Sequence, residues 1–240
     1  MSTHSDTVQI TGCRACSSER LEIVFDLHNS PLANRLLSEE QLHEQEPFYP
    51  LRLAFCHDCS LLQLLDTVAP EVLFRDYAYF SSVSDALLAH SQKHAERLIG
   101  ARKLDATSLV VEAASNDGYL LKNYIAHGIP VLGIEPATNI ARVAEERGIP
   151  TLNEFFGREL GRGLRRAGRR ADVFHANNVL AHVADLNGFV AGISALLKAD
   201  GIAVLEFPYV KDLVDHVEFD TIYHEHLCYY SLTALNRLFR

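Results

Sequence analysis

From Leu109 onward, short apolar runs alternate with segments of helical periodicity, and this alternation limits the fold more than anything else in the chain. Leu109 to Ala114 is apolar but too short for a buried helix, so it reads as a buried strand. Tyr119 to Ala126 reads as a helix and Val131 to Ile134 as a second strand. Thr138 is placed as the cap of a helix that runs to Arg147 and stops at Gly148. Asp172 to Ala176 is a third strand. Asp185 is placed as the cap of a helix from Leu186 to Lys198, ended by Gly201, and Ile202 to Phe207 is a fourth strand. Strands alternating with helices build βαβ units, hence a parallel sheet covered by helices. Just upstream, Ser84 reads as the N-cap of a helix carrying Leu87, Leu88, Ser91, Ala95, Leu98 and Ile99 at helical spacing.

The first 75 residues differ. They are loop-rich, with Pro31, Pro47, Pro50 and Pro70 as punctuation. They carry Cys13-Arg14-Ala15-Cys16 and Cys56-His57-Asp58-Cys59. Each x₂ spacing can put two thiolates on one face of a tight turn, and two such turns supply a closed tetrahedral S₄ site suited to Zn²⁺. Four unrelated thiols, or a thioredoxin-like redox pair, are the competing readings. Two pairs in one loop-rich segment favour zinc. A closed site has no open coordination position and takes no part in catalysis. His57 is the alternative fourth ligand, and Cys228 reads as a small packing residue.

Composition narrows the function. Of 240 residues, 48% are hydrophobic and 22% charged, as in ordinary soluble domains. The net charge of −9 argues against a nucleic-acid binder. The basic cluster Arg158, Arg162, Arg165, Arg166, Arg169 and Arg170 reads as a solvated helix face followed by a loop. No stretch approaches the roughly 20 apolar residues of a membrane span. Met1 to Gln9 is polar and lacks a signal-peptide core, so the expectation is a cytoplasmic protein with reduced thiols.

Glu112 ends the first strand of the alternating region, and the turn Ala113-Ala114-Ser115-Asn116-Asp117-Gly118 follows. Gly118 permits close backbone approach, and such a turn at the carboxyl end of a sheet suits a nucleotide-like ligand. The turn lacks the G-x-G-x-x-G of dinucleotide binders. Glu135 ends the next strand, about 20 positions on, where an acidic side chain suits two ribose hydroxyls. An ordinary strand-end carboxylate is the bland alternative.

The run Tyr223-His224-Glu225-His226 packs a phenol, a carboxylate and two imidazoles into four residues. Imidazole starts near neutral pKa and suits proton abstraction; a phenol or a second imidazole suits stabilising an enolate oxygen. If the segment is extended, Tyr223 and Glu225 share one face and His224 and His226 the other. If it is an irregular loop, all can converge. A metal site, or chance clustering among 12 histidines, also fits these residues alone.

The cysteine pairs, the Ser-Asn-Asp-Gly turn and the His-Glu-His run together resemble the S-adenosylmethionine-dependent sugar C-methyltransferases of deoxysugar biosynthesis. The resemblance spans nearly all of the chain. It implies an α/β protein, a Rossmann-like methyltransferase sheet preceded by a small loop-rich zinc-binding domain. The expected boundaries are residues 1–75 for the zinc-binding domain and 76–240 for the methyltransferase domain. It implies S-adenosylmethionine and Zn²⁺ as cofactors, and a nucleotide-diphosphate-linked 4-keto-deoxysugar, methylated at C3, as substrate. The cofactor would be held by Glu112, Ser115, Asn116, Asp117, Gly118 and Glu135, with Asn177 lining the same cleft by analogy. By resemblance His226 is the base, and Tyr77 and His182 belong to the site, with Tyr79 the nearby competitor. Tyr223 and Glu225 complete the catalytic set. The resemblance further implies a C-terminal domain beyond Arg240, so the chain is expected to be a piece of a longer protein. The rival readings are a methyltransferase for an oxygen, nitrogen or other small-molecule acceptor, and a non-enzymatic zinc-ribbon module.

Overall fold

The computed structural model describes residues 7–75 and 77–240. The start of the polar N-terminal run and Asp76, which precedes Tyr77, lie outside them. In chain order the elements are β1 (Thr7–Gln9), β2 (Leu21–Ser30), β3 (Tyr49–Cys56), β4 (Leu62–Leu64), β5 (Asp66–Val68), α1 (Pro70–Phe74) and α2 (Asp85–Arg102). There follow β6 (Val110–Ala113), α3 (Leu121–Ile125), β7 (Val131–Ile134), α4 (Thr138–Glu146), β8 (Thr151–Leu152), α5 (Arg158–Arg166) and β9 (Ala171–Asn177). The last are α6 (Leu186–Leu196), β10 (Leu197–Glu206), α7 (Val210–His216), β11 (Cys228–Tyr229) and α8 (Leu232–Leu238).

The chain divides into two compact units. One comprises residues up to Leu73, Leu180–Asn187 and Phe207–Arg240; the other comprises Phe74–Val179 and Gly188–Glu206. The second unit holds a five-stranded sheet of order β10-β9-β6-β7-β8, parallel throughout. β6 and β7 are buried at every position, as expected for strands covered on both faces. Tyr119, Leu120, Leu121 and Tyr124 pack with Ile129, Val131 and Ala95 into one core. The carboxyl ends of β6, β7 and β9 deliver the Asn116 turn, Glu135 and Asn177.

Local signals decide the helix ends. Ser84 caps α2, its hydroxyl accepting from Leu87 N. Thr138 is the first residue of α4 and not its cap; Ala137 stands at that position, and the Thr138 hydroxyl donates to Asn153 instead. Gly201 does not end α6, which stops at Leu196. It lies in a register shift of β10 against β9, where a Cβ would come within 2.6 Å of the Ala171 carbonyl oxygen.

The first unit contains an antiparallel sheet of order β11-β4-β3-β2 and the pair β1-β5. The β3–β4 connection carries the second cysteine pair. β11 begins two residues after His226 and pairs with β4, Cys228 opposite Gln63. No described helix is long and apolar enough to cross a membrane.

Candidate functional site

The two Cys-x-x-Cys segments fold alike. Ser17 N donates to Cys13 O at 2.8 Å and Ser60 N to Cys56 O at 2.9 Å. Ser17 and Ser60 are both left-handed, at φ 61° and 64°. Each turn therefore aims its two thiols the same way. The four sulfurs lie within 4.8 Å of one another, with Cys13–Cys59 at 3.4 Å and Cys16–Cys56 at 3.6 Å. All four cysteines are free thiols. A tetrahedron with Zn–S of about 2.3 Å has S···S edges of about 3.8 Å, so the donor set fits Zn²⁺. His57 turns away to Glu22, its Nε2 2.8 Å from the carboxylate. Cys228 is buried, in keeping with packing.

In the second unit the turn after β6 is built by three left-handed residues, Ala114, Asn116 and Gly118. Asn116 is its hub. Its Oδ1 accepts from Ser81 N at 2.8 Å and Asp117 N at 2.9 Å, and its Nδ2 donates to Tyr79 O at 3.0 Å. Glu135 accepts from Asn116 N at 2.9 Å through one oxygen and from Ala137 N at 2.8 Å through the other. A carboxylate has about four acceptor positions, so two remain for other donors. Asp117 is paired with Arg147 at 2.7 Å, a partner absent from the motif reading. Asn177 lies beside the Tyr119 phenol and lowers its pKa against the rise that burial imposes. Tyr77 lies in this unit, its backbone paired with the Asn139 side chain at 3.3 and 2.8 Å.

Three buried polar atoms at this turn lack a protein partner: Glu112 Oε2, Ser115 Oγ and Asp117 Oδ1. Burial, then the charges of Glu135 and Asp117, push the Glu112 carboxyl well above the usual carboxylate range. Orphaned buried acceptors are costly, and a polar, cationic ligand would satisfy them. S-adenosylmethionine, with a cationic amino-acid end and two ribose hydroxyls, matches that donor demand.

The reactive cluster lies in the first unit. Residues 223–225 form a turn, closed by His226 N donating to Tyr223 O at 3.0 Å. The turn brings Tyr223 and His226 together, ring centroids 4.3 Å apart, with Tyr223 Oη 3.1 Å from His226 Nε2. His226 Nδ1 is 3.0 Å from Thr221 O, a carbonyl that can only accept. Nδ1 therefore carries the proton, and Nε2 presents a lone pair. Burial lowers the His226 pKa, and the Thr221 bond opposes this. His182 stacks edge-on against His226, centroids 4.9 Å apart. His224 is excluded: it is buried against Tyr49, its Nε2 3.1 Å from Tyr49 O. Glu225 is buried, which raises its pKa, and Asn34 Nδ2 donates to its Oε1 at 2.8 Å. Burial also pushes the Tyr223 phenol up to about 12.

A zinc binding domain family matches residues 13–74, and a methyltransferase domain family matches residues 83–240. The C-methyltransferase NovU of Streptomyces niveus is 34% identical over 230 residues, covering 96% of this chain and 55% of that protein. The chain thus spans about half the length of the curated relative it matches. In fold, the chain is similar to a SAM-dependent methyltransferase from Archaeoglobus fulgidus, with a TM-score of 0.50 and 15% identity over 62% of this chain and 66% of that one. The YcgJ protein of Bacillus subtilis aligns at a TM-score of 0.48 and 16% identity, over 62% and 66% of the two chains. The methyltransferase match covers more than half of the sequence, and the chain belongs to the S-adenosylmethionine-dependent methyltransferase family, with a zinc-binding domain at its N-terminal end.

Proposed function

We propose that this chain methylates carbon, at C3 of a nucleotide-diphosphate-linked 4-keto-deoxysugar. The observation that carries the reading is the His226 geometry: Nδ1–H committed to Thr221 O, and Nε2 facing Tyr223. An oxygen or nitrogen acceptor already carries a lone pair, whereas carbon has none until its proton leaves, so the demand on the base is greatest at carbon. Carbon must first lose a proton, and a ketone beside it acidifies that proton. The name of the NovU relative, a C-methyltransferase, supports the same class.

In this reading neutral His226 takes the proton alpha to the ketone on Nε2. The electron pair of the broken C–H bond moves onto the ketone oxygen. Tyr77 and His182 stabilise or orient that enolate, and Tyr223 orients the base. Glu225 orients its neighbours, since a carboxylate base would need a strongly raised pKa. Glu135 takes the ribose hydroxyls of the cofactor, and Glu112, Ser115, Asn116, Asp117, Gly118 and Asn177 line the remainder of its cleft. S-adenosylmethionine supplies an electrophilic methyl group. The zinc site holds the fold and has no open position for substrate.

The test uses the full-length protein with S-adenosylmethionine and a nucleotide 4-keto-deoxysugar in deuterated water. Wild type should methylate C3 and exchange the C3 proton without the cofactor. His226→Asn should abolish both, and Glu225→Gln should hurt less. Exchange at the wild-type rate in the His226 variant would overturn the assignment. Methyl found on an oxygen or nitrogen would overturn the class.

A further inference from the structure

Asn34 lies in the loop after β2, 191 residues from Glu225 in sequence, yet its carboxamide donates to Glu225 Oε1 at 2.8 Å. The same carboxamide also reaches the Tyr223 phenol and lowers its pKa against the rise that burial imposes. A carboxamide NH₂ has two protons, enough for both partners. Tyr223 can then give its own hydroxyl proton to His226 Nε2, 3.1 Å away, while His226 Nδ1 donates to Thr221 O at 3.0 Å. The donors run in one direction: Asn34, Tyr223, His226, Thr221. Each member of such a chain fixes the rotor of the next, and the bonds reinforce one another.

The exposures differ along the chain. Asn34 is exposed, Tyr223 is half-buried and Glu225 is 5% exposed. Glu225 has a second oxygen with no protein partner. A buried carboxylate with one bond is poorly held, so the single donor it has matters. The ionisable groups around the pair are His226, His182 and Tyr229. Burial raises the Glu225 pKa, and the Asn34 bond opposes that rise.

We infer that Asn34 is a positioning residue whose carboxamide fixes the Glu225 carboxyl and turns the Tyr223 hydroxyl toward the base. The part that concerns the base rests on the reading of His226 given above. The hydrogen-bonded network stands apart from that reading.

The variants are Asn34→Asp, which keeps the size and removes the donor, and Asn34→Ala, which adds no charge. Carboxyl ¹³C NMR of glutamate-labelled full-length protein reads the Glu225 titration, assigned with Glu225→Gln. Both variants should keep the zinc content of wild type, with a melting temperature lower by a few degrees at neutral pH, because the lost bond held a buried carboxyl. Glu225 should titrate higher by about one pH unit in Asn34→Ala, and higher still in Asn34→Asp, where a like charge is added. Proton exchange on the keto-sugar should show a second acid limb that follows Glu225, distinct from the limb set by His226. Below that limb the exchange rate should fall about tenfold, with the Michaelis constant for S-adenosylmethionine unchanged. An unchanged Glu225 titration in both variants would overturn the inference. Should wild type exchange no proton at all, the base reading falls, and the NMR titration still decides the role of Asn34.

Discussion

Gly118→Ala is the sharpest probe of the cofactor turn. Gly118 has φ +79°, and a Cβ there would lie 2.4 Å from Ile149 Cγ1, 3.1 Å from Cδ1 and 3.2 Å from Cβ. Two costs combine. Left-handed backbone costs a non-glycine residue about 1–2 kcal/mol. Forcing a methyl into a filled core costs about 1–3 kcal/mol. Ile149 is 3% exposed and packs in the main core of this unit, so it cannot swing out to solvent. The sum is about 2–5 kcal/mol, or roughly 4–20 °C in melting temperature for a chain of this size. Urea unfolding of four proteins closes a cycle: wild type, Gly118→Ala, Ile149→Ala and the double variant. Ile149→Ala alone should cost about 2–5 kcal/mol. In that background the clash with Cγ1 is gone and only Cβ at 3.2 Å remains, so Gly118→Ala should cost about 1–2 kcal/mol, the backbone part. If Gly118→Ala costs the same in both backgrounds, the contact with Ile149 is not the source. If it costs under about 0.5 kcal/mol in wild type, the left-handed turn itself is wrong.

Elemental analysis should find one zinc per chain, and chelation or Cys59→Ser should lower the melting temperature, because binding energy at such sites is folding energy. Glu135→Ala should weaken S-adenosylmethionine binding by about 1.5–3 kcal/mol in calorimetry, the range for a bond to a charged acceptor. Burial and the nearby His94 depress His175 to about 3, so its native state stays neutral where the unfolded chain would be protonated. Its stabilisation is therefore complete above the unfolded value of about 6.5 and is lost as pH falls from there toward 3, a slope that His175→Gln should flatten in acid unfolding. Burial lowers His226 as well, so the neutral base persists below pH 6.5, and the acid limb of proton exchange in the wild-type enzyme should fall below that of free imidazole.

What could be read from the sequence was what local chemistry determines. Ser84 and Ser231 each cap a helix, with hydroxyls accepting from Leu87 N and Ala234 N, because serine beside an amphipathic run has little else to bond. Thr138 carries the same signal and misled, because Asn153 draws its hydroxyl from 15 residues away. The strands and the parallel sheet followed from short apolar runs, and the four cysteines from their spacing. At the Tyr223 to His226 run, periodicity alone left two faces or one loop open. A turn decides it, and the turn depends on His224 being drawn to Tyr49 O across 175 residues. Sequence reasoning read Gly118 as permitting close backbone approach; the structure adds Ile149 packed where a Cβ would stand, a contact no motif encodes. Asn34 lay further still from view. It is a lone polar residue in a proline-punctuated loop, and nothing within its own segment distinguishes it from a solvated turn residue. Only the pairing of β3 with β2 and β4, and of β4 with β11, brings that loop and the Glu225 turn into one antiparallel unit. Residues whose contacts depend on such pairings carry no local signal, which is why motif reading stops short of a side chain such as Asn34.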